Sequence, residues 1–424
     1  MKISLKIEKL TSSEKVFFFA YALYLIPQII DLSFYKRYTG NAVRDLIAVA
    51  LIILVMREFI FESKTYNKRG LTVGAIFAVL IGITWYIGAG YGIGQKDIAI
   101  MLIFVYAARR IPFKKICTMT LWVTIPLLAF IILSSYLGII DNYIYTSSSG
   151  RVREYLGFRY ALFPSMILYN ITALIVYKDT QRPSDYRKLP DRNYYPKLSF
   201  ITMCLLLAVN YWMYTKTDSK LSFILAVVII LAPCLKSVYK LISAKICGML
   251  STSSFVICGI ASFWLSINYS SSVEWMKNLN SILGGRLRLG QMSLREYGFS
   301  VFGVKGIQWV GNGLDAYGNN VSVTKGYNYV DSFYILTLQR YGVIVLGVLI
   351  LLLSVSVYLF WKKQDYTMVM ILVLLAVHGI IDDLILRMYY NTFWFSIGVI
   401  LMRSGQELSD YIRLERRKVR IRFL

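Results

Sequence analysis

GVIVLGVLILLLSVSVYLFW, residues 342–361, is a run of twenty residues without a charge. As an α-helix rising 1.5 Å per residue it would measure about 30 Å, the thickness of a bilayer's hydrocarbon core. Similar runs lie at about 16–33, 43–61, 71–89, 97–108, 116–140, 160–177, 198–214, 221–235, 247–268, 367–387 and 388–402, twelve in all. Those at 97–108, 221–235 and 388–402 fall short of about 18 residues, so a re-entrant segment can stand in place of one. Composition agrees: 57 % of the 424 residues are apolar and 15 % aromatic, and only 17 % are charged. Ordinary soluble proteins carry roughly 25 % charged residues. A water-soluble fold is excluded, and the expectation is an all-α integral membrane protein of about twelve transmembrane helices.

The net charge of +24 does not form one basic face, as nucleic-acid binding would require; it is broken into short clusters between apolar runs. Alternate connections, beginning with the N-terminus and ending with the tail, hold 30 of the 47 Lys and Arg residues. The positive-inside rule then puts both termini in the cytoplasm, with the first run an uncleaved span. Residues 1–268 form an N-terminal bundle of about nine spans, 269–341 a long extracytoplasmic loop with interfacial helices, 342–402 the C-terminal spans, and 403–424 a basic cytoplasmic tail. Cys117, Cys204, Cys234, Cys247 and Cys258 lie in or beside apolar runs without CxxC spacing, which argues against disulfide or zinc frameworks. GAGYGIG at 88–94 has no strand before it, so dinucleotide binding is discarded. No metal-ligand cluster and no cofactor are expected.

Two outer connections have unusual content. In the long one, Arg286, Arg288, Arg295 and Lys305 stand on Gly-rich backbone in SILGGRLRLGQMSLREYGFSVFGVKGIQW. Helical spacing from Arg286 to Tyr297 puts Arg288, Gln291 and Arg295 on one face and Leu287 and Leu294 on another. The shorter one, SSSGRVREYLGFRYALFPS, holds Arg151, Arg153 and Arg159. Nonspecific lipid-phosphate contact accounts for single arginines. Two clusters of forked, permanently charged donors on the side that topology leaves poor in them point to one anionic ligand such as a diphosphate.

In YNYVDSFYILTLQRYG, residues 327–342, Asp331, Tyr334, Leu338 and Tyr341 recur at helical spacing. Asp331 is either an N-cap or a carboxylate that takes a proton from an acceptor hydroxyl. Arg340 would be costly at mid-bilayer, which sets 331–341 at the interface or facing a cavity, ahead of the tenth span. The only histidine, His378, precedes Asp382 by four residues, and Asp383 precedes Arg387 by four. An internal ion-pair network and a site-lining role are both open for them. TKTDSK at 215–220 reads as a tight outer hairpin whose Lys216 and Lys220 add positive charge. Trp275, Trp309, Tyr317, Tyr327 and Tyr329 are read as interfacial anchors, a few of them able to stack on sugars.

Taken together, LGF with an arginine upstream, a polar hairpin, GGR opening a long outer loop, YGFSVFG within it and VDSFYILTLQRYG before a span resemble the Wzy-type repeat-unit polymerases of bacterial capsule and O-antigen synthesis. The resemblance is concentrated in residues 151–165, 215–223, 284–303 and 329–342. It implies an inverting, metal-independent glycosyltransferase of the all-helical membrane class in the bacterial plasma membrane. Such an enzyme joins polyprenyl-diphosphate-linked oligosaccharides, among membrane lipids and beside a chain-length regulator and a flippase of the same pathway. Carried over, Arg286 and Arg153, with Arg151 as neighbour, hold the diphosphate, and Asp331 and Tyr334 belong to the acidic element. Asp382 is a second candidate base. The family often has Pro-Asn after LGF and Ser-Arg in the hairpin; this chain has RYALFPS and KTDSK, so Lys216 or Lys220 replaces that arginine. O-antigen ligases share the architecture but resemble enzymes with a histidine in the long loop, which is absent here. A lipid-linked oligosaccharide flippase is the non-enzymatic alternative, and the long loop speaks against it.

Overall fold

The computed structural model describes residues 10–62, 68–89, 96–146, 150–180, 198–319 and 326–402. The extreme N-terminus, the 181–197 loop, most of the 88–94 glycine stretch and the 403–424 tail lie outside them. The described chain is mostly helical. Helix α1 (Ser12–Asp31) starts at a capping box in which Thr11 and Glu14 each satisfy the other's backbone N–H. A short α2 (Lys36–Thr39) leads to α3 (Ala42–Arg57), which ends in a π-helical turn at Glu58–Glu62. There follow α4 (Lys68–Ala89), α5 (Asp97–Ala107), α6 (Phe113–Tyr136), α7 (Leu162–Thr180), α8 (Phe200–Thr217) and α9 (Lys220–Leu231). A second group comprises α10 (Lys236–Ser243), α11 (Lys245–Thr252), α12 (Ser254–Ile267), α13 (Glu274–Ile282), α14 (Arg286–Tyr297), α15 (Phe333–Lys362) and α16 (Tyr366–His378). A last helix runs over 394–402.

Residues 71–88 of α4, and α6 and α15 whole, are long and apolar enough to cross a membrane. Two bent pairs raise the number to five if each is one span: α9 with α10, bent by 90°, and α11 with α12, bent by 53°. Helices α5 and α16 are apolar but only 11 and 13 residues long. Many large apolar side chains face outward, among them Ile52, Val79, Leu133, Phe200 and Leu351. That is the pattern of helices whose solvent is lipid.

Helix α7 is buried along most of its length and packs against α6, α8, α9 and α16, which makes it the centre of the bundle. Its Asn170 donates to Thr392 Oγ1 at 2.8 Å and accepts from the Thr392 N–H at 3.1 Å. This pair fastens the irregular stretch between α16 and the last helix. The 367–387 run is therefore not one helix. Helix α16 stops at His378, and the chain turns through a 3-10 turn at Leu384–Leu386. The cause is local: Asp382 Oδ1 accepts the Leu384 N–H at 2.8 Å, an Asx turn that competes with helical bonding.

The 331–341 stretch is separated from the following helix by a break in the backbone. Gly342 interrupts α15 with φ 90° and ψ 172°. The loop after α14 docks on the break: Val304 N–H donates to Gln339 O at 2.7 Å and Val343 N–H to Ser300 O at 3.1 Å. A Cβ on Gly342 would lie 2.2 Å from Val301 O, and one on Gly303 would lie 2.3 Å from Arg340 O. The glycines of YGFSVFG and QRYG thus fit against each other's backbone. Between α6 and α7 the shorter connection forms a small antiparallel hairpin, β1 (Ile144–Thr146) with β2 (Val152–Glu154), which an all-helical expectation leaves out.

Candidate functional site

Arg286 owes its position to the corner between α13 and α14. Gly284 and Gly285 have φ of 64° and 85°, a left-handed pair that suits glycine. The Gly285 N–H donates to Asn280 O at 2.7 Å, and Asn280 Oδ1 accepts the Arg288 N–H at 3.1 Å, so one asparagine ties the end of α13 to the start of α14. From this corner Arg286 Nη1 donates to Leu283 O at 3.2 Å, and Nη2 lies 3.4 Å from Asp331 Oδ2.

Asp331 is not the N-cap. Ser332 caps α15, its side chain accepting the Ile335 N–H. The Asp331 carboxylate is left to Arg286 and to the Tyr327 hydroxyl, which donates to it at 2.7 Å. Burial pushes the Asp331 carboxyl above its ordinary value; Arg286 and the Tyr327 hydrogen bond pull against that, and Asp382 adds to it. Burial works against the Arg286 cation, but Asp331 and Tyr160 outweigh it and hold its pKa up. Burial, then the Asp331 charge, raise the Tyr327 hydroxyl.

The other arginine arrives from the hairpin. Arg153, on β2, acts electrostatically on the Tyr160 hydroxyl together with Arg286, Asp331 and Asp382. Burial raises that hydroxyl first and Asp331 next, while the two guanidiniums oppose the rise. The charges of Arg153 and Arg286 thus both reach the Tyr160 hydroxyl. The Nε atoms of both are buried and have no hydrogen-bond partner. Unpaired buried donors are costly, and a ligand with anionic oxygens would satisfy them.

The remaining candidates are dispersed. Arg151 pairs with Asp218, and Lys216 with Glu154 at 2.9 Å, linking the hairpin to the α8–α9 turn. Arg159 is a backbone clip: it donates to Asp31 O at 2.8 Å and to Leu314 O at 3.0 Å. Arg288 and Arg295 lie exposed on α14, opposite the buried Leu287 and Leu294, as the helical spacing indicated, and Lys220 is exposed at the start of α9. Tyr334 points into the bundle and donates to Ala376 O at 2.9 Å, away from the Arg286–Asp331 pair. His378 and Asp382 are buried behind Asp331, with His378 Nε2 3.2 Å from Asp382 Oδ2. Arg387 does not pair with Asp383; it lies 3.6 Å from Asp97 and donates to the Tyr389 hydroxyl at 2.9 Å.

Two contributors, Tyr160 and Gln339, escaped the sequence reading, and Tyr327 was read only as an interfacial anchor. Tyr160 stands beside an arginine in a quoted motif, and Tyr327 lies four residues before Asp331, so proximity to charge was the available signal for both. Gln339 is fully buried and donates to Ser293 O at 3.0 Å and Gly298 O at 2.9 Å, while its Oε1 accepts from Ser293 Oγ at 2.8 Å. It ties α14 to the element that carries Asp331. A polar residue among apolar neighbours in YILTLQRYG was its only mark. No protein-family model, curated protein or solved structure matches this chain.

Proposed function

We propose that the protein is a polymerase of the Wzy type. It crosses the bacterial plasma membrane about twelve times with both termini in the cytoplasm. On the outer face it transfers a growing glycan from its polyprenyl diphosphate to the terminal sugar of a new lipid-linked repeat unit. What supports this reading is that Arg286 stands 3.4 Å from Asp331 and that Arg286 and Arg153, from distant segments, each keep a buried N–H without a partner.

In this reaction the acceptor hydroxyl attacks the anomeric carbon as the bond to the diphosphate oxygen breaks, inverting the centre. The diphosphate departs with the electron pair and is held by Arg286 and Arg153, whose fixed charge stabilises it. The hydroxyl proton passes to Asp331. Binding of the donor prepares that step: a diphosphate competes with Asp331 for Arg286, and a buried carboxylate that loses its cation becomes a stronger base. Tyr327 keeps the freed carboxylate oriented.

Deletion of the gene followed by gel separation of the surface glycan tests the proposal, with Arg286→Ala and Arg286→Lys restored in its place. Arg286→Ala should leave single lipid-linked units without long chains, and Arg286→Lys should recover part of the length, because a point charge replaces a forked donor. Chains of full length with Arg286→Ala contradict the assignment. Loss of all surface units with accumulation inside the cell indicates a flippase.

A further inference from the structure

Behind Asp331 lies a second buried acid with a partner of its own. Asp382 is 3 % exposed; its Oδ1 is taken by the Leu384 N–H, and its Oδ2 faces His378 Nε2 at 3.2 Å. His378 is fully buried, and neither ring nitrogen has a hydrogen bond. The Tyr169 ring of α7 stands perpendicular to the imidazole, ring centroids 5.5 Å apart. The two acids are mechanically joined. Phe333 N–H donates to Gly379 O at 3.0 Å and Ser332 Oγ approaches the same oxygen at 3.4 Å, so the backbone following Asp331 is bonded to the residue following His378.

The charges around this junction do not balance. Asp331 has Arg286 at 3.4 Å. Asp383, which accepts from the Tyr329 hydroxyl at 2.8 Å, feels the Arg387 cation. For Asp382, His378 is the one cation-forming side chain within ion-pair distance among the described residues. Its charge reaches Asp331, Arg286 and the hydroxyls of Tyr160 and Tyr390. Buried like charges cannot all ionise without compensation, and histidine is the side chain that supplies or withdraws a positive charge near neutral pH.

We propose that His378 and Asp382 form a positioning pair for the transfer: by taking or releasing a proton at the imidazole, His378 decides whether Asp331 faces a bare buried negative charge or a compensated one. With His378 neutral, the Asp382 charge makes Asp331 the stronger proton acceptor; with His378 protonated, that push is cancelled. Neither residue touches the substrate. The inference rests on the reading of Asp331 as the group that takes the acceptor's proton.

Two measurements on the purified full chain in lipid nanodiscs test it. The first is the acid limb of the pH–rate profile for chain extension. His378→Gln should move that limb to higher pH and Asp382→Asn to lower pH, each by about one pH unit, or tenfold in rate on the limb. A merely structural pair would lower the rate without moving the limb in opposite directions. The second needs no activity: the chain has one histidine, so its ¹⁵N imidazole signal is unambiguous. At mildly acidic pH, Asp382→Asn should move that signal toward the neutral ring, and Asp331→Asn should move it the same way by less. Limbs that stay put or move together overturn the proposal, as does an imidazole signal indifferent to Asp331→Asn. If the signal responds as expected while Asp331→Asn keeps full turnover, the charge coupling of the pair stands and the reading of Asp331 as the proton acceptor falls.

Discussion

Arg151, Arg153 and Arg159 look equivalent in the sequence, three arginines within nine positions. The fold gives each a different fate. Arg159 is spent on the carbonyls of Asp31 and Leu314, and Arg151 on Asp218. Arg153 has no ion pair among the described residues and keeps a buried Nε unpaired. Asp331 shows the same sorting, since the capping role open to it belongs to Ser332. Asp331→Asn should therefore leave thermal unfolding within a few degrees of the wild type and cut turnover by about 10²-fold or more. An activity equal to wild type would remove Asp331 from the chemistry. Because burial raises the Asp331 carboxyl and its ionised form is the base, the rate should fall as pH drops through a midpoint above the ordinary carboxylate range. A pH–rate profile checks the sign. At this scale GGR and VD marked two residues that the fold brings together, whereas Tyr327 was read as an anchor and Tyr160 went unmarked, because its surroundings arise only where distant segments meet.

Among elements, α14 was readable from spacing alone, since an apolar stripe at helical period fixes which face is buried. The segment after His378 was not. Its apolar run continues, but the Asp382 Asx turn competes with helical bonding, and composition does not register turns. The break in α15 is the joint on which the site depends. Gln339→Leu removes hydrogen bonds to Ser293 and Gly298 and leaves buried carbonyls unsatisfied. It should cost about 3 kcal/mol, measured as a lower unfolding temperature in detergent. Gly342→Ala adds a Cβ 2.2 Å from Val301 O at a positive φ, and should destabilise the protein and lower diphosphate affinity together. A Gly342→Ala protein as stable and active as wild type would show that the loop does not hold the site.

Across the whole molecule, the membrane character was plain in the composition, and three to five helices long and apolar enough to span are seen. A hydropathy window measures how apolar a stretch is and not where it bends, so the elbows at α9–α10 and α11–α12 left no trace in it. Far from Asp331 in the sequence, a buried ionic network joins α1, α3, α5 and α6. Arg57, 2 % exposed, donates to Ser13 O, Ala107 O and Glu62, and Lys115 pairs with Glu14. Arg57→Ala removes donors from Ser13 O and Ala107 O and one of the cations on Glu62, which keeps Arg110 at 2.9 Å, and should cost about 1–3 kcal/mol in thermal unfolding without a selective loss of diphosphate binding.

The central claim is that Arg153 and Arg286 grip one diphosphate. The most direct measurement is equilibrium binding of a polyprenyl diphosphate to the nanodisc-embedded protein in wild type, Arg153→Ala, Arg286→Ala and the double variant. Each single change should weaken binding by more than about tenfold, with a coupling between them of at least about 0.5 kcal/mol, as for groups that share a partner. An affinity unchanged in either single variant, or losses that multiply as if the two arginines held separate ligands, would contradict the account.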